Sequence, residues 1–159
     1  MSVRADAETL RSIPIFADCD PVHLQVLAFA SERQQFRAGE SLIVQGEKGT
    51  ASFLILSGEA NLLIERNGIQ DTIGYAGPGA LLGEVAMIGG AAYSVTVRAK
   101  TPISAAKIER GLFMRVAEEY PEFGKTVFRT LGGRLDESMT DLLSAKGLFD
   151  RAKTFSSLG

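Results

Sequence analysis

The period of the apolar positions changes twice along this chain, dividing it into helical, stranded and helical stretches. In DAETLRSIPIFADCDPVHLQVLAFA, residues 6–30, Asp20 suits an N-cap, Pro21 suits a first helical position, and Leu24, Leu27 and Ala28 share one face. A helix is predicted from Pro21 onward. Pro14 interrupts the stretch before it, so 7–12 reads as a separate short helix.

From Gln34 the period shortens, and glycines at 39, 46, 49, 58, 68, 74, 77 and 79 cut the chain into short segments rich in Ile, Leu, Val and Phe. That spacing is typical of an antiparallel sandwich or barrel. Asn67-Gly68, between LLIER and IQDTIGY, predicts a two-residue hairpin, because both central positions of a type I′ turn require positive φ. Ala60, Leu62 and Ile64 alternate with Asn61 and Glu65, so one face of that strand is expected to be buried and the other partly wet.

From residue 110 the chain reads as helical again, with one break at Pro121 that implies helices over 112–120 and from Pro121 to about residue 144. In the second, Phe128, Leu131, Leu135, Met139 and Leu142 recur at spacings of three and four, an apolar seam that suits a homodimer interface. The alternative is that this helix packs on its own strands. Gly132-Gly133 costs it roughly 1 kcal/mol per glycine relative to alanine. The expected organisation is one domain over 1–146, made of a helical N-terminus (1–33), strands (34–109) and C-terminal helices (110–146), with a loosely held tail over 147–159.

The stretch GPGALLGEVAMIGGAAYSVTVRA, residues 77–99, combines a glycine turn, a short apolar helical segment with one acid, and a returning β-branched strand. Backbone N–H groups around Gly83, Glu84, Val85 and Ala86 would point outward at a helix start, where orphan donors and the dipole favour a phosphate. A carboxylate there, Glu84, suits acceptance from sugar hydroxyls, and the pair describes a nucleotide. The plainer alternative is a glycine turn followed by one buried helical turn.

These residues resemble the phosphate-binding cassette of cyclic-nucleotide-binding domains, the family of the bacterial catabolite activator and the kinase regulatory subunits. Gly83, Glu84, Val85, Ala86 and Met87 match its first part, and Ser94, Val97 and Ala99 its second. Phe36, Gly39, Leu42, Ile43, Gly46, Glu47, Gly49, Phe53, Ile55 and Gly58 match its earlier motif, so the resemblance covers roughly residues 10–140. It implies a mainly β fold with flanking α: an eight-stranded antiparallel β-roll, or jelly roll, with N-terminal helices and a long C-terminal helix. It places the family's phosphate-binding arginine on Tyr93, and on the long helix it places Ser138 and Met139 where hydroxyl side chains contact the purine. Ser138 has a solvated helix position as its other reading.

Composition narrows the chemistry. With 45% apolar and 8% aromatic residues, 159 residues suffice for one domain with a real core. No apolar run approaches the roughly 18–20 residues that span a bilayer, and MSVRADAETLRSIP lacks a signal-peptide core, so a cytoplasmic protein is expected. Cys19 and His23 are the only residues of their kinds, which leaves no internal disulfide, no metal site and no nucleophile–base pair, and hence no enzyme and no cofactor. A net charge of −2 argues against a dominant nucleic-acid surface. No winged helix-turn-helix of the activator type is expected after the long helix.

Two functions follow from the resemblance. One is a stand-alone regulatory module that binds cyclic AMP or cyclic GMP and signals by movement of the C-terminal helix about Pro121, read by a second protomer or by a separate effector protein. The other is a degenerate cyclic-nucleotide-binding fold that holds no nucleotide and acts through protein contacts. Tyr93 motivates the second, because a tyrosine hydroxyl offers one neutral donor where a bidentate arginine offers charge and two fixed donors. Loss of a charge-assisted bond of about 1.5–3 kcal/mol weakens affinity roughly ten- to a hundredfold. Ser94 and Thr96 remain as donors, whereas Arg98 is expected to face away.

Overall fold

The computed structural model describes residues 3–131. Helix α1 (Val3–Arg11) begins earlier than the sequence pattern suggests, and a 3-10 turn over Pro14–Phe16 follows where proline blocks its continuation. Helix α2 (Pro21–Ala30) starts as expected: the Asp20 side chain accepts from Val22 N at 2.9 Å and Pro21 takes the first helical position.

Eight strands follow: β1 (Glu32–Phe36), β2 (Ser41–Ile43), β3 (Ala51–Ser57), β4 (Ala60–Arg66), β5 (Ile69–Ala76), β6 (Leu81–Leu82), β7 (Thr96–Ala99) and β8 (Ile103–Glu109). They form two antiparallel four-stranded sheets, ordered β1-β8-β3-β6 and β2-β7-β4-β5. Helix α3 (Glu84–Gly89) lies between β6 and β7, and α4 (Arg110–Glu119) leaves β8 directly. A further helix, α5, is described over 121–131. The fold is therefore mainly β with flanking helices, the jelly roll expected.

In the first sheet β3 is buried on both faces from Ala51 to Ile55, whereas β1 at the sheet edge is largely exposed. Leu54, Ala106 and Ile108 meet the helical layer, where Phe16, Leu24, Phe113, Phe123 and Val127 pack, while Phe53, Ile55 and Ala105 face the second sheet. Asn67 and Gly68 have φ of 54° and 78°, the pair of positive values that the hairpin requires. On β4, Ala60 and Ile64 are buried and Leu62 half-buried, but Leu63 is buried too. The outer face is thus drier there than alternation alone suggests. Between Leu62 and Leu63 the pairing with β5 slips by one residue, a bulge that leaves Ile73 without a register partner.

Within α5 the apolar side chains of Phe123, Val127 and Leu131 are buried and join the helical core. Phe128 is 45% exposed, so of the two described seam residues one serves the chain's own core. Leu135, Met139 and Leu142 lie outside the described residues.

Candidate functional site

Strand β6 pairs with β3 only through Leu81 and Leu82 and then turns away at Gly83, whose φ is 82°. An added Cβ at Gly83 would come within 2.9 Å of the Tyr93 ring, 2.8 Å of Ile43 Cδ1 and 3.2 Å of the Ala51 carbonyl oxygen. Glycine is required there on both counts, conformation and space. Helix α3 then runs for six residues with Glu84 in its first turn, burying Ala86, Met87 and Ile88 and leaving Val85 half-exposed.

The loop after α3 is fastened to the loop before β3. Gly49 N donates to Ala91 O at 2.8 Å, Tyr93 N to Glu47 O at 2.8 Å, and Gly46 N to Tyr93 O at 2.9 Å. Gly49 lies against α3 so closely that an added Cβ would sit 2.6 Å from the Ala86 carbonyl carbon. On the other side, Arg110 Nε donates to Met87 O at 2.8 Å, tying the end of α3 to the start of α4. Nothing in residue spacing pointed to Arg110, since its acceptor is a backbone carbonyl.

Tyr93 is turned inward and is 8% exposed. Its hydroxyl donates to Ala51 O at 2.5 Å and accepts from Ala51 N at 3.1 Å. Because β6 has already ended, these two backbone groups at the start of β3 have no strand beside them, and one side-chain hydroxyl satisfies both.

Six of the sequence-predicted residues converge on one cavity of about 170 Å³: Gly83, Glu84, Val85, Ala86, Tyr93 and Ser94. Among the described residues its remaining lining is aliphatic, from Ile43, Leu62, Leu82, Val95 and Val97, and includes no lysine or arginine. Thr96 is a correction. Strand alternation sends it, with Arg98, to the outer face of the second sheet, where its Oγ1 accepts from Gln45 N at 3.0 Å, so it cannot reach the cavity that Val97 lines. Arg98 faces away as expected. Ser138 lies outside the described residues.

Among those residues no group of three or more His, Cys, Asp and Glu side chains could hold a metal, and no helix is long and apolar enough to cross a membrane. Burial, and then the neighbouring Asp18 carboxylate, push the Cys19 thiol up to about 11.

A family model described as the cyclic nucleotide-binding domain matches residues 33–120, more than half of the chain. The cAMP-dependent protein kinase regulatory subunit of Emericella nidulans is 32% identical over 107 residues, which make up 67% of this chain and 26% of that protein. The chain thus spans about a quarter of the length of that relative. Among solved structures, a cyclic nucleotide-binding-like protein from Brucella abortus is 32% identical with a TM-score of 0.66, covering 72% of this chain and 98% of its own. A cyclic nucleotide-binding domain from Methylobacillus flagellatus is 26% identical with a TM-score of 0.70, covering 89% and 82% respectively. The matched segment contains both sheets from Arg33 onward, the glycine turn at Gly83, α3 and the whole of α4. This chain belongs to the cyclic nucleotide-binding domain family.

Proposed function

We propose that this domain is a regulatory module of its family whose cassette is closed to cyclic nucleotides by Tyr93, and that it signals through protein contacts. The observation that carries this reading is the inward Tyr93, its hydroxyl committed to both backbone groups of Ala51 and its ring against Gly83. The hydroxyl has one proton, and Ala51 O receives it, so none is left to donate to a phosphate. The cavity beside the ring, about 170 Å³, is smaller than the roughly 300–1,000 Å³ of ligand pockets, and the described residues that line it supply no cation.

Isothermal titration with cyclic AMP and cyclic GMP tests this reading. Wild type is expected to show no binding at up to about 1 mM nucleotide, a level at which a competent site of micromolar affinity would be saturated. Tyr93→Arg is expected to gain measurable binding, because it restores the charge and the bidentate fork. Wild-type binding at micromolar affinity or tighter would overturn the closed-cassette reading.

A second reading, retained cyclic-nucleotide binding, is favoured by the convergence of Gly83, Glu84 and Ser94 on one cavity beside the first turn of α3. It requires Tyr93 to leave Ala51 when ligand enters. In that case Glu84→Ala weakens wild-type binding by roughly ten- to a hundredfold, the loss of a charge-assisted bond to a ribose hydroxyl.

A further inference from the structure

Thr96 and Arg98 open onto a second cavity, on the outer face of the β2-β7-β4-β5 sheet. It measures about 590 Å³ against about 170 Å³ for the cassette cavity, and lies within the size range of small-molecule sites. Among the described residues, hydroxyl and carboxamide groups from Ser41, Gln45, Asn67, Gln70 and Thr96 line most of it, together with one cation, Arg98, and one acid, Glu65.

The two charges are held near each other without being paired. Arg98 lies across the sheet so that its Nη1 donates to Gln70 Oε1 at 3.1 Å, and Gln70 is the register partner of Glu65. Facing residues on adjacent strands have Cβ atoms about 4.5–5.5 Å apart, so guanidinium and carboxylate look into one space. Yet the ion pairs among the described residues are Asp6–Arg33 and Lys107–Glu109, and neither involves Arg98 or Glu65.

Hydrogen bonds hold the floor of this cavity in place. The pairing of β7 with β4 ends at Thr96 and Leu63, so on its β7 side Glu65 has no strand partner, and Gln45 takes that place: its Oε1 accepts from Glu65 N at 2.8 Å and its Nε2 donates to Glu65 O at 3.3 Å. Thr96 Oγ1 in turn accepts from Gln45 N at 3.0 Å. The backbone beneath Glu65 and the guanidinium of Arg98 are both anchored before any ligand arrives, which lowers the ordering cost of binding.

We propose that this groove binds a small zwitterion, a free α-amino acid, with its carboxylate on Arg98 and its ammonium on Glu65. A ligand of one sign would satisfy one of these charges and face repulsion from the other, whereas a zwitterion satisfies both. Ser41, Asn67 and Gln70 are then the groups available to the ligand side chain. The site is separate from the cassette and does not depend on whether a nucleotide binds there.

Thermal unfolding of the whole chain with each proteinogenic amino acid in turn tests the assignment. For a Kd of about 1 mM, ligand at about 10 mM shifts the folding equilibrium about elevenfold and raises Tm by roughly 3–6 °C. At least one amino acid is expected to do so, while its N-acetyl and methyl-ester derivatives do not. Arg98→Gln and Glu65→Gln should each abolish the shift with the unliganded fold intact by circular dichroism, and Tyr93→Arg should keep it. No shift with any amino acid, a shift shared by the derivatives, or one that survives both charge-removing variants would overturn the proposal.

Discussion

Removing the Tyr93 hydroxyl isolates the contact on which the cassette depends. Tyr93→Phe keeps the ring against Gly83 but deletes the group that donates to Ala51 O and accepts from Ala51 N. Ala51 is 2% exposed and Tyr93 8%, so water does not readily replace the hydroxyl. A buried backbone group left unpaired costs about 1–3 kcal/mol, and two are orphaned here, one donor and one acceptor. Allowing for relaxation of the start of β3, the expected loss is about 2–4 kcal/mol, a large share of the roughly 5–15 kcal/mol that holds a domain folded. Urea unfolding followed by circular dichroism should show a lower midpoint with an unchanged m-value. A loss below about 0.5 kcal/mol would refute the reasoning, since it would mean that Ala51 finds other partners and Tyr93 is not fastened in place.

Other perturbations probe neighbouring contacts. Gly49→Ala drives a Cβ to 2.6 Å from the Ala86 carbonyl carbon, backbone against backbone, so it should destabilise by about 1–3 kcal/mol in the same unfolding assay. Asp6, 3% exposed, pairs with Arg33 at 2.5 Å between α1 and β1; because the Arg33 side chain is 41% exposed, Asp6→Asn should cost only about 1–2 kcal/mol, read as a lower midpoint in urea. Cys19 is a free, buried thiol raised from 9.0 to about 11, so iodoacetamide at pH 8 should modify the folded chain at least about a hundredfold more slowly than the unfolded one. Because the folded value is the higher, the protonated thiol's contribution to stability is complete below pH 9.0 and is lost as pH rises toward about 11.

Local chemistry explains what could be read from the sequence alone. Asp20 caps α2, the proline at 14 separates the first two helical segments, and the Asn67-Gly68 turn sets a hairpin, because each acts within a few residues of itself. The glycine-bounded strands indicated an antiparallel sandwich or barrel, the family resemblance narrowed this to a roll, and six of the residues expected around the G-E-V-A segment line one cavity. The β4 alternation held for the inner face but did not foresee the buried Leu63 or the slip in register against β5.

What tertiary structure decided were the contacts between residues distant in sequence. Tyr93 could be named as a site residue from its position in the motif, but its commitment to Ala51 arises because β6 ends after two residues and leaves the edge of β3 open. Thr96 belongs to the same returning strand as the cassette residues, yet the pleat carries it through the sheet to the opposite side. Arg98 reaches across β4 to Gln70 on β5, a contact set by the order and register of three strands. Strand order, register and the places where strands stop are properties of the assembled sheets, and period-two patterning within one segment contains no record of them.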